Sequence, residues 1–147
     1  MPCSLCHKIE HYQSHDVVAL LEHSIVFLGP WQYYEGYCIV TAKQHYTELF
    51  ELSNDVRHTL MDEVARTAKA IYDVVQPRKI NYEWLGNQVP HLHWHLFPRQ
   101  LNDPNHLQAV WLDIAEAEKD AGRKNLWQQC SRGKDQLMRE IQKALNQ

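Results

Sequence analysis

The sequence predicts an α+β domain: an antiparallel sheet with one long helix on one face and a further helix at the C-terminal end. Three observations lead to it. Short runs rich in Val, Ile and Leu, broken by turn residues, fill positions 17–41; helical periodicity extends from Ser53 to Val75; and two more strand-like runs, Lys79–Leu85 and His91–Phe97, follow that helix.

Val17–Leu21, Ile25–Leu28 and Tyr37–Thr41 read as strands, the latter two separated by Gly29-Pro30 and Gly36. Leu60, Val64, Ala68, Ile71 and Val75 then recur at helical spacing, with Ser53 or Asn54 able to cap the start and Pro77 closing the segment. Gly86-Asn87-Gln88-Val89-Pro90 is a tight connection between the last two strands, and Pro90 favours the beginning or edge of its strand. Beyond it, Asn102-Asp103-Pro104-Asn105 is a turn and Ala109–Glu118 is a candidate short helix. Leu137, Ile141 and Leu145 recur every four residues, the stripe of a packed terminal helix.

A chain of 147 residues fits one domain and leaves no room for a second of usual size. Hydrophobic residues at 44% and charged residues at 22% place it among globular chains rather than disordered ones. A formal net charge of −3 gives no overall pull toward a nucleic-acid polymer or an anionic membrane, so any phosphate must be held locally. No signal peptide and no spanning run is recognisable, and the expected location is cytoplasmic. Cys3 and Cys6 form a C-x-x-C, which in an intracellular chain points to metal or redox chemistry; Cys38 and Cys130 read as packed or surface thiols. No βαβ pattern surrounds the C-x-x-C, which counts against a thioredoxin-like pair.

His91, His93 and His95 alternate with Leu92, Trp94 and Leu96. In a strand this places three imidazoles on one face, about 6.6 Å apart in succession, and turns Trp94 and its apolar neighbours to the core. Ten histidines scattered at random in 147 residues would produce this spacing only about 0.04 times. A solvent-facing strand and a metal-binding comb are the simpler readings of the same row.

His91-Leu92-His93-Trp94-His95-Leu96-Phe97, followed by Pro98-Arg99, resembles the signature of the histidine triad (HIT) family. Asn81, Gly86, Asn87 and Val89 resemble that family's loop before the triad. Tyr37-Cys38-Ile39-Val40-Thr41-Ala42-Lys43-Gln44-His45 is similar to its strand leading into a Pro-Lys-x-His element, here with Ala42 in place of proline. The resemblance spans about Cys3 to Arg99 and leaves 100–147 as a C-terminal extension of a single domain, 1–147. Leu85–His91 is most similar to bacterial members known as diadenosine polyphosphate hydrolases.

The resemblance implies a nucleotide hydrolase. Neutral His93 would attack the α-phosphorus of a phosphoanhydride or phosphoramidate and form a nucleotidyl-histidine intermediate that water hydrolyses. His95 would donate to phosphoryl oxygens and assist the leaving group, and Asn81, Asn87 and Gln88 are the substrate-binding candidates. Where the family has an N-terminal C-x-x-C, the histidine after the Pro-Lys element and the first triad histidine complete a structural zinc site, here Cys3, Cys6, His45 and His91. Family members commonly form homodimers through the long helix and an edge strand. The acidic residue that usually grips the ribose has no counterpart in Phe27-Leu28-Gly29-Pro30-Trp31. Trp31, Tyr33 and Tyr34 are open to base stacking or to plain packing. Nucleotidyl transfer to phosphate, a zinc-stabilised nucleotide-binding module without turnover, and a metal carrier are the competing functions.

Overall fold

The apolar runs and the helical stripe fold largely as their spacing requires. The computed structural model describes residues 2–147. In chain order the elements are α1 (Ser4–Glu10), β1 (Val17–Leu20), β2 (Ser24–Leu28), β3 (Cys38–Ala42), α2 (Asn54–Val75), β4 (Lys79–Glu83), β5 (His93–Arg99), α3 (Val110–Glu118), α4 (Ala121–Gln128) and α5 (Lys134–Leu145). The five strands make one antiparallel sheet in the order β1-β2-β3-β5-β4, so the histidine strand lies inside the sheet and β4 at its edge.

Ser53 opens α2 by accepting the Val56 N–H on its hydroxyl. At the other end Gln76 takes a left-handed conformation (φ 50°) and donates its N–H to Tyr72, and Pro77 prevents continuation. The stripe Leu60, Val64, Ala68 and Ile71 packs on Val40, Ala42, Trp94 and Leu96 of the sheet, and Leu137, Ile141 and Leu145 of α5 complete this core. Trp94 is thereby buried, as alternation along the strand requires.

The opposite face carries the odd-numbered residues of β5 and is also partly covered. There Phe97 and Tyr37 meet Val110, Ile114 and Ala117 of α3 and Trp127 of α4, and Ile9 of α1 packs on Val17, Ile25 and Phe27. The expected single layer of helix on one face is therefore joined by an extension folded back on the other. Neither α1 nor α4 was legible from periodicity, because each is short and contributes few buried side chains. Among the described residues no helix is long and apolar enough to cross a membrane.

Candidate functional site

The regular strand begins at His93, not at His91. Pro90 has no N–H to offer a ladder, His91 N–H turns back to Val89 O, and Leu92 N–H is taken by Tyr46 O, so pairing with β3 settles only from His93 onward, opposite Thr41. The three histidines consequently divide. The rings of His93 and His95 lie 4.8 Å apart at 81°, whereas that of His91 meets His45 and the two N-terminal cysteines.

His93 is 7% exposed, and its Nδ1 lies 2.6 Å from the carbonyl oxygen of His91. A carbonyl only accepts, so Nδ1 carries the proton, and in the neutral ring the lone pair is then on Nε2. That is the tautomer a nucleophile needs. His95 is surrounded by the Phe97, Tyr37 and Trp111 rings. Burial, with His93 adding, pushes its pKa down to about 4, so it is neutral near pH 7.

Cys3, Cys6, His45 and His91 bring one ligand atom each into a cluster whose members all lie within 4.8 Å of one another. Cys3 Sγ is 3.4 Å and Cys6 Sγ 3.5 Å from His91 Nδ1; Cys6 Sγ and His91 Nδ1 each lie 3.3 Å from His45 Nδ1. A tetrahedral zinc with Zn–S of about 2.3 Å and Zn–N of about 2.0–2.1 Å requires S···N near 3.6 Å and N···N near 3.3 Å, so the donor set fits that ion. His91 Nε2 donates to Ala42 O at 2.8 Å, which leaves Nδ1 as the lone-pair atom facing the thiols. The two cysteines are free thiols, and α1 holds them in place by forming directly over the C-x-x-C.

The remaining candidates are distributed differently. Asn81 lies opposite Phe97 on β4, and its Oδ1 accepts from Arg99 Nη1 at 3.0 Å. Asn87 and Gln88 are exposed in the connection between β4 and β5, just after Gly86, whose φ of 93° suits glycine. Trp31 and Tyr34 are buried, and Tyr33 stacks at 3.9 Å on Trp127, so this aromatic group packs the extension onto the sheet.

Arg99 is a buried hub. It reaches Asp103 Oδ2 through Nε at 2.9 Å and the carbonyl oxygens of Asn105 and Gln108 at 2.7 Å each. These bonds tie segment 103–108 to the end of β5 and lead into α3, whose Trp111 ring sits 4.9 Å from that of His95 at 82°. Tyr37 and Trp111 escaped sequence reasoning, since their proximity to His95 depends on strand pairing and chain reversal that periodicity does not encode.

Comparison with known proteins agrees with this fold. A curated relative, the protein Hit of Bacillus subtilis (strain 168), is 28% identical over 110 residues, 71% of this chain and 75% of the relative. A hypothetical histidine triad nucleotide-binding protein of Sulfolobus tokodaii superposes with a TM-score of 0.69 at 19% identity, covering 98% of this chain and 92% of the other. A zinc-bound histidine triad family protein of Mycobacterium smegmatis does so with a TM-score of 0.65 at 17% identity, covering 99% and 94%. The family model for the HIT domain matches residues 11–102, the stretch that holds the whole sheet, α2 and the histidine row, and the chain belongs to the HIT domain family.

Proposed function

We propose that this protein cleaves a nucleotide at its α-phosphorus through a covalent intermediate on His93, with dinucleoside polyphosphates, or else nucleoside phosphoramidates, as substrates. The observation that carries the reading is the His93 tautomer. With Nδ1–H given to the His91 carbonyl, Nε2 is free to attack. The Nε2–P bond forms as the bond from phosphorus to the leaving oxygen or nitrogen breaks, and the leaving group departs with the proton that His95 donates, which the water of the second step restores. Water then attacks the same phosphorus, the N–P bond breaks, and a nucleoside monophosphate is released with His93 regenerated. His95 donates to the phosphoryl or leaving-group oxygens. Asn87 and Gln88, exposed in the connection leading to β5, hold the phosphate chain, and Asn81 contributes from β4.

Cys3, Cys6, His45 and His91 hold a structural zinc ion, which when bound acts as a crosslink and takes no part in bond breaking. Its ligands join α1, the segment after β3 and the approach to β5, so the chain before His93 is fixed in place. The choice of dinucleoside polyphosphate rests on the similarity of Leu85–His91 to bacterial diadenosine polyphosphate hydrolases; the Sulfolobus tokodaii histidine triad nucleotide-binding protein supports only a nucleotide as ligand.

The test is a panel of dinucleoside polyphosphates and phosphoramidates incubated in ¹⁸O-water, with products identified by mass spectrometry. A nucleoside monophosphate bearing the label is expected from at least one substrate. Binding without turnover across the panel, or label only in the departing fragment, would overturn the reading, and dependence of turnover on added inorganic phosphate would convert it to nucleotidyl transfer.

A further inference from the structure

We propose that Tyr37 is a positioning residue for His95: its hydroxyl donates to His95 Nδ1 and holds that imidazole in the tautomer whose proton is on Nε2, ready for the substrate. The inference rests on the function proposed above and adds a residue and a proton assignment to it.

Tyr37 is built into place from several sides. It is 2% exposed, and its ring stacks on Phe97 at 3.9 Å and 15°. The backbone of Gly29 lies so close that a Cβ there would fall 2.2 Å from the Tyr37 ring, which only glycine avoids. Tyr37 N–H is taken by Tyr34 O, and its carbonyl accepts from Gly29 N–H and from Gln32 Nε2. With ring and backbone both fixed, the hydroxyl stands 2.6 Å from His95 Nδ1.

The direction of that hydrogen bond follows from what each atom can do. Burial raises the Tyr37 hydroxyl well above its usual value, so it keeps its proton and must place it on an acceptor. A neutral His95 offers that acceptor only if Nδ1 is unprotonated. The reverse arrangement, Nδ1–H donating to the hydroxyl oxygen, would leave the hydroxyl proton buried with no partner.

A contrast between neighbours results. His93, held by a backbone carbonyl, carries its proton on Nδ1 and exposes a lone pair at Nε2; His95, held by a hydroxyl, carries its proton on Nε2. Two imidazoles 4.8 Å apart are thus set with opposite tautomers, one as nucleophile and the other as donor. Trp111 and Phe97 flank the His95 ring, at 4.9 Å and 6.0 Å between ring centroids.

The experiment is two-bond ¹H–¹⁵N correlation of ¹⁵N-histidine-labelled zinc-loaded protein near pH 7.5, with single-turnover kinetics alongside, for the native chain, Tyr37→Phe and Gly29→Ala. The native protein should show His95 protonated at Nε2. Tyr37→Phe, which keeps the stacked ring, should give a mixture of tautomers and slow the chemical step roughly 10- to 30-fold, with substrate affinity changed less than about threefold. Gly29→Ala, which displaces the ring instead of removing the hydroxyl, should move both readouts in the same direction. Nδ1 protonation of His95 in the native protein, or a Tyr37→Phe variant with unchanged tautomer and rate, would overturn the inference. The spectra need no substrate: a native protein with the expected tautomer and no turnover would overturn the proposed function alone.

Discussion

The histidines of the row differ in the partners of their ring nitrogens, and the proposed roles follow from that difference. His91 gives Nε2–H to Ala42 and directs Nδ1 at Cys3 and Cys6, while His95 lies among aromatic rings four residues on. The two should therefore fail differently when removed. His91→Ala is expected to lose zinc and lower Tm, with activity falling as a consequence, whereas His95→Ala should keep zinc and slow turnover at little cost in affinity. Metal content, Tm and single-turnover rate on both variants check this, and zinc loss from His95→Ala alone would reverse the assignment. His95 also makes stability depend on pH. Its pKa is about 4 in the folded chain against 6.5 when free, so between those values the unfolded chain binds a proton that the folded chain refuses. Stability from this group is complete above pH 6.5 and is lost as pH falls toward 4, by up to about 3 kcal/mol at ~1.4 kcal/mol per pH unit. Denaturant titrations of the native chain and His95→Phe across that window should show a shallower acid slope in the variant.

At the scale of elements, the C-terminal extension makes the face of the histidine row a sheltered one. Its anchor is the Arg99–Asp103 pair, both side chains less than a tenth exposed, with Nη2 to Oδ2 at 2.8 Å. Arg99→Ala would strand the Asp103 carboxylate and free the carbonyls of Asn105 and Gln108; a loss of about 3–5 kcal/mol is expected. Because the same segment leads to α3, tryptophan emission from Trp111 should shift to the red in the folded variant, and an unchanged spectrum would separate Arg99 from the placement of α3. The elements also show what a sequence carries openly. β2, β3, α2 and α5 were legible because each repeats an apolar period long enough to stand out, and their stripes are the residues found in the core. The metal candidates were legible because a C-x-x-C and a histidine row announce themselves, although their meeting depends on α1, a helix of only seven residues. Tyr37 was read only as a strand residue: its value comes from lying one residue before the β3 ladder that pairs with His95, a placement fixed by tertiary structure. The hub at Arg99 was likewise hidden, since its partners come from a turn whose path no periodicity describes.

For the molecule as a whole, β4 is an edge strand, and Tyr82, Trp84 and Leu85 at its end and Tyr72 on α2 are exposed. The homodimer expected from the resemblance would use such an edge and adjoining helix. Sedimentation velocity is expected to give a dimer for the native chain and a monomer for Tyr82→Lys combined with Trp84→Glu; a native monomer at micromolar concentration would remove this surface from the account. The proposed function makes one chemical claim, that His93 Nε2 bonds to phosphorus. Its most direct test is an alkaline quench during turnover, because a phosphorus–nitrogen bond survives base and is lost in acid, followed by mass spectrometry of the peptide spanning β5. The account predicts an added mass of one nucleoside monophosphate less water on His93, absent from His93→Ala, whose turnover should fall at least ~10³-fold. Product formation with no adduct, or an adduct on another residue, would contradict it.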